Sequence, residues 1–223
     1  MNQVSYSNTI QRLDAGTMNK VLRNTYLLLS MTLMFSAIMA GVAMAMNWPH
    51  PGLLITLVGY FGLLFATTKL RNSAWGLVSV FALTGFMGAT LGPIINAYTY
   101  QFSNGGDIVM MAMGGTAVIF LAMSGLALTS KRDFSFMGKF LMVGILVAFL
   151  AGLGAIFFQF QPLMLAVSSM FVLLMAGLIL FETQQIVRGG ETNYIMATVT
   201  LFVSIFNLFT SLLHLLGFAL GED

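Results

Sequence analysis

The chain has 223 residues, 58% of them hydrophobic and only 7% charged, with a mean hydropathy of +0.92. A soluble domain carries about 25% charged residues, so this chain has too few to cover a water-facing surface, which excludes a soluble globular protein, a disordered chain and a nucleic-acid binder. Nine Lys and Arg against seven Asp and Glu leave a net charge of +2, and the absence of Cys removes disulfides, Cys-ligated zinc and thiol chemistry.

In chain order, residues 1–23 form a polar tail rich in Asn, Gln, Ser and Thr. Few apolar residues are available to pack it, so it is expected to be flexible. Uncharged runs follow at 24–68, 72–106, 108–130, 140–181 and 192–221, of 45, 35, 23, 42 and 30 residues. A helix needs about 20 apolar residues to cross the hydrocarbon, so the two longest runs each hold two crossings. Each has a break in its middle: Asn47-Trp48-Pro49-His50-Pro51-Gly52 in the first, Gln159-Phe160-Gln161-Pro162 in the second. The 35-residue run reads as one crossing ending near Leu91-Gly92-Pro93, then a loop through Ser103-Asn104-Gly105-Gly106. Seven helices result, near 24–46, 53–68, 73–92, 108–129, 139–158, 163–186 and 195–218. Ala43-Met44-Ala45 imitates a signal-peptidase site, but the apolar run from Tyr26 is longer than a signal peptide's, so the first helix reads as a retained anchor.

Charge sets the orientation. With the N-terminus inside, the inner segments carry Arg12, Lys20, Arg23, Lys69, Arg71, Lys131, Arg132, Lys139 and Arg188, which is every basic residue in the chain. The positive-inside rule then gives an all-α integral membrane protein with N-in/C-out topology. Its organisation is a cytoplasmic tail (1–23), a seven-helix transmembrane domain (24–218) and a short periplasmic tail (219–223).

Within the helices, small residues recur at Ala37/Gly41/Ala45, Gly59/Gly62/Ala66, Gly85/Gly88/Gly92 and Gly144/Ala148/Gly152. Such faces allow close backbone approach, the usual basis of packing between helices in lipid. The last helix carries Thr200, Ser204, Asn207, Ser211 and His214 at steps of 4, 3, 4 and 3, hence on one face. A polar stripe in hydrocarbon must face protein or water, so this helix is expected to be central in the bundle. Glu182, near the inner end of the sixth helix, can meet the inner half of that stripe. An ionisable residue inside the membrane suggests a functional site, here a proton or ion site of Glu182, Ser204 and Asn207. The structural alternative is local pairing of Glu182 with Arg188 or Lys69.

Enzyme readings find little support. Two His and no Cys give no HExxH motif and no metal cluster. Ser124 and His214 sit about 20 Å apart in depth on helical rise alone, too far for a nucleophile and its base. Every Lys lies in a loop or tail, which excludes a retinal Schiff base, and no phosphate-binding glycine pattern occurs. No cofactor is implied.

The stretch Phe181-Glu182-Thr183-Gln184-Gln185-Ile186, the run Leu201-Phe202-Val203-Ser204-Ile205-Phe206-Asn207-Leu208-Phe209 and Leu212-Leu213-His214-Leu215-Leu216-Gly217 resemble the Bax inhibitor (TMBIM) family. Lys20-Val21-Leu22-Arg23-Asn24-Thr25-Tyr26, Leu91-Gly92-Pro93-Ile94, Asp133-Phe134-Ser135-Phe136 and Gly189-Gly190-Glu191-Thr192-Asn193-Tyr194 are similar to its proteobacterial branch. The resemblance spans residues 20 to 218. It implies an inner-membrane modulator of the membrane-anchored AAA protease FtsH, acting as both substrate and inhibitor. Other members of the wider family behave as pH-sensitive calcium leak channels with paired acids on the last two helices. Glu182 aligns with the first of those acids, whereas Ser204 occupies the second position, which weakens a site for Ca²⁺.

Overall fold

The computed structural model describes residues 3–222, with side chains from Asn19 to Glu222. Among the described residues the chain forms seven helices and no strand: α1 (Gln3–Ala45), α2 (Leu53–Leu70), α3 (Ala74–Gln101), α4 (Gly105–Thr129), α5 (Met137–Phe157), α6 (Gln161–Arg188) and α7 (Tyr194–Leu220). Each is long and apolar enough to cross a membrane, the apolar part of α1 beginning at Asn19. The side chains of residues 1–18 lie outside the described residues, but the backbone from Gln3 is helical and continuous with the first crossing, where the sequence predicts a flexible tail.

The breaks fall where the sequence puts them. Gly52 turns the chain into α2 at φ 85°, and Gly189 ends α6 at φ 76°; both are left-handed conformations that favour glycine. The third helix differs. It does not end near Pro93 but runs to Gln101, leaving only Phe102–Asn104 before α4. Proline removes one amide donor, a loss that packed membrane helices tolerate. Tertiary contacts hold the extra turns: Ile95 is buried, Asn96 Nδ2 donates to the Met44 carbonyl at 3.1 Å, and Tyr98 lies over Gly217 of α7.

As the polar stripe suggests, α7 is central, packing against α1, α3, α4 and α6. It shares that place with α3, which touches α1, α2, α4 and α7, and with α6, which touches α1, α4, α5 and α7. The peripheral helices are α2, packed on α3, and α5, packed on α6.

Glycines set the closest seams. A Cβ on Gly88 would strike the Ser36 carbonyl, one on Gly92 would come within 2.7 Å of the Ala40 carbonyl, and one on Gly85 would meet the Phe35 ring at 2.5 Å. These three bring α1 and α3 together. Gly144 similarly faces Leu174 between α5 and α6, whereas Gly41 and Gly62 face open space. We therefore expect Gly88→Ala to destabilise the bundle by about 1–3 kcal/mol through backbone overpacking, and Gly41→Ala to stay within about 0.5 kcal/mol of the parent. Detergent-induced unfolding of the two variants in micelles measures the contrast.

Candidate functional site

The basic residues gather at one end of the bundle, where the segment 181–194 ties three loops together. Gln184, only 3% exposed, sits one helical turn before Arg188 on the same face of α6. Its Nε2 donates to the Arg132 carbonyl and its Oε1 accepts from the Phe134 amide, each at 2.7 Å. Arg188 Nη2 donates to the Lys131 and Arg132 carbonyls at 3.2 and 2.6 Å, and Nη1 lies 3.3 Å from Asp133 Oδ2. Hydrogen bonds from Ser135, followed by the Arg188 charge, hold the Asp133 carboxyl below its ordinary range. That contribution is present above the usual carboxylate pKa and is lost as pH falls through the lowered one. Together these bonds form a clamp on the α4–α5 loop.

The same segment reaches the other loops and helices. Asn193 caps α7, its Oδ1 accepting from the Ile195 and Met196 amides at 3.1 and 3.0 Å. Its Nδ2 donates to the Arg71 carbonyl and to Asn72 Oδ1, which fixes the α2–α3 turn. Tyr26 of α1 shares a 3.2 Å hydrogen bond with Thr183, and Thr198 Oγ1 lies 3.3 Å from the Thr25 carbonyl.

Glu182 sits inside this frame and is 8% exposed. Neither Arg188 nor Lys69 pairs with it; among the described residues the ion pair is Arg188 with Asp133. Six residues along a helix place Arg188 about 240° around α6 from Glu182, so the two point different ways. The other stripe residues turn inward on their own helix. Ser204 Oγ donates to the Thr200 carbonyl at 2.7 Å, and Asn207 Nδ2 to the Val203 carbonyl at 2.8 Å. No hydrogen bond joins Glu182 to Ser204 or Asn207. Ser211 is buried, and His214 Nδ1 meets Ser168 Oγ at 2.8 Å toward the far end of the α6–α7 seam.

Chemically, the site offers one enclosed carboxylate, with Glu191 of the α6–α7 loop near enough for its charge to act on it. Among the described residues no group of three His, Cys, Asp or Glu could hold a metal. Sequence reasoning missed the Gln184–Arg188 clamp and the Ser168–His214 pair. The signal was available for both: a polar residue within a membrane helix requires a partner, the argument already applied to α7.

A family model described as "Inhibitor of apoptosis-promoting Bax1" matches residues 18–220. The chain is 50% identical over 213 residues to "Modulator of FtsH protease YccA" of Escherichia coli K12, covering 96% of each chain. The same identity and coverage relate it to "Inner membrane protein YccA" of Escherichia coli O6:H1. An uncharacterized protein of Pseudomonas aeruginosa is 51% identical over 203 residues, covering 91% of each chain.

The clamp carries a direct expectation. Gln184→Leu keeps the side-chain size but strands the Phe134 amide and leaves the Arg132 carbonyl to Arg188 alone, at a cost of about 1–3 kcal/mol. Limited trypsin cleavage after Lys131 and Arg132 in micelles should therefore speed up by about tenfold or more, through local opening of the loop. An unchanged cleavage rate would show that Arg188 holds the loop alone.

Proposed function

The chain belongs to the Bax inhibitor family, and on that premise we propose that it is a multi-pass inner-membrane protein that binds and modulates the FtsH protease, as inhibitor and as substrate. One observation carries the reading: identity of 50% across 96% of both chains to a protein named for that activity.

The fold supports it in two ways. The basic residues cluster at the end of the bundle where α1 begins, and the positive-inside rule turns that end toward the cytoplasm. On the same end, the α2–α3, α4–α5 and α6–α7 loops are short and held by Asn193, Gln184 and Arg188. A pulling protease would find a poor grip there. The N-terminal segment ahead of the membrane is the natural handle.

Co-purification with FtsH from detergent-solubilised membranes tests the partner. Deleting residues 2–18 is expected to slow degradation by FtsH several-fold while leaving co-purification intact, converting a substrate into a longer-lived inhibitor. Unchanged turnover of the truncated protein would move the initiation site elsewhere.

The enclosed Glu182 supports a second reading, a pH-sensitive cation leak. The aligned second acid is Ser204, whose hydroxyl is bound to the Thr200 carbonyl, so a paired-carboxylate site for Ca²⁺ is incomplete. On this reading, Ser204→Asp strengthens pH-dependent calcium flux into proteoliposomes and Glu182→Gln abolishes it. Robust pH-dependent flux that survives Glu182→Gln would make this acid structural.

A further inference from the structure

Two grooves open sideways from the bundle on either side of α7. One lies between α1 and α4, with a volume of about 490 Å³; the other lies between α2 and α5, about 630 Å³. Phe206 lines both. The second is bridged by Phe61 and Phe149, whose rings meet edge to face at 5.9 Å, and its floor is built by α3, α6 and α7. Its walls are almost wholly apolar, and its size is that of a ligand site able to take much of an acyl chain.

What separates this groove from ordinary lipid-facing surface is its mouth at the basic end. On α6, Phe171, Met175 and Leu178 line it, and Glu182 continues that face one turn further, at +11, +7 and +4. On α5, Met142, Val143 and Leu146 line it, and Lys139 precedes them on that face at −3, −4 and −7. The two charges also share a depth. Gly138 lies against Phe181, Gly177 against Leu141 and Gly144 against Leu174, so the antiparallel register sets Lys139 beside residues 179–180. Glu182 is then about 4 Å nearer the basic end at 1.5 Å per residue. The Lys139 side chain slants toward the start of its own helix, closing that difference.

Lys139 and Glu182 are nonetheless not paired with each other, and Glu182, 8% exposed, has no protein partner among the described residues. An enclosed carboxylate without a partner is costly. By this register Lys139 and Glu182 stand one turn beyond the groove's lining residues on their helices, a cation and an anion above an apolar channel, with Glu191 of the α6–α7 loop adding a second negative charge near Glu182.

We propose that the α2–α5 groove is a binding site for a zwitterionic phospholipid with a primary ammonium headgroup. One acyl chain lies in the groove, the phosphate meets Lys139, and the ethanolamine ammonium donates hydrogen bonds to Glu182. A choline headgroup has no N–H to donate, and a glycerol headgroup offers hydroxyl donors but no cation, so neither gives the carboxylate a charge-assisted hydrogen bond from a cation. The site does not depend on protease binding.

Native mass spectrometry of the delipidated full-length protein, titrated separately with dioleoyl phosphatidylethanolamine, phosphatidylcholine and phosphatidylglycerol, tests this. We expect ethanolamine lipid to bind about tenfold more tightly than either other lipid, the worth of one charge-assisted hydrogen bond. Glu182→Gln should erase that preference, whereas Lys139→Gln, through the phosphate the three lipids share, and Leu57→Trp, which fills the groove, should each weaken all three lipids. Equal affinities, a preference for phosphatidylglycerol, or a preference that survives Glu182→Gln would overturn the proposal. Should a variant fail to fold, photo-crosslinking of the unmodified protein decides: a chain-tagged phosphatidylethanolamine should label residues 142–149 and 171–178, and labelling confined to other helices would refute the site.

Discussion

In hydrocarbon a polar group cannot take a hydrogen bond from solvent, and apolar surfaces gain little from meeting one another because lipid tails are just as apolar. The architecture answers both constraints. Helices are joined by close approach, most tightly where Gly85, Gly88 and Gly92 of α3 meet Phe35, Ser36 and Ala40 of α1. Hydroxyls and amides are satisfied mainly on their own helices: Thr67 on the Leu63 carbonyl, Thr116 on Ala112, Ser204 on Thr200 and Asn207 on Val203. Side-chain bonds between helices in the membrane interior are few, with Ser168 and His214 the clearest.

Because the helix interiors spend their polar groups locally, tertiary hydrogen bonding concentrates at the ends. At the basic end, Gln184, Arg188 and Asn193 fasten two loops to the third. At the opposite end, Asn104 donates to the Leu220 carbonyl at 2.7 Å and accepts from the Glu222 amide, while Ser103 donates to the Glu222 carbonyl. A bundle pinned at both ends and packed tightly along α1, α3, α6 and α7 can leave slack between its peripheral helices. The groove between α2 and α5 occupies that slack.

This division bears on the proposed relation to a protease. An AAA enzyme works by pulling, and the barrier it meets depends on where it takes hold. Loops fastened by paired hydrogen bonds resist local opening, whereas a segment outside the membrane contributes no such resistance.

Sequence alone determined the number of crossings, because 20 apolar residues have no other stable place, and it located the hairpins at Pro49-His50-Pro51-Gly52 and Gln159–Pro162, where proline and glycine break helices. It also marked α7 as central, since a polar stripe cannot face lipid, and its motifs identified the family. The tertiary structure decided the rest. Pro93 looked like a terminus, but contacts of Asn96 and Tyr98 with distant helices carry α3 onward to Gln101. Glu182, Ser204 and Asn207 share a plausible depth in sequence, yet the serine and asparagine bond to their own backbone, a local competition that helical spacing does not reveal. The alignment of Lys139 with Glu182 across the groove depends on how α5 slides along α6. That register is set by which glycine accepts which side chain, and it becomes visible only when the two helices are packed together.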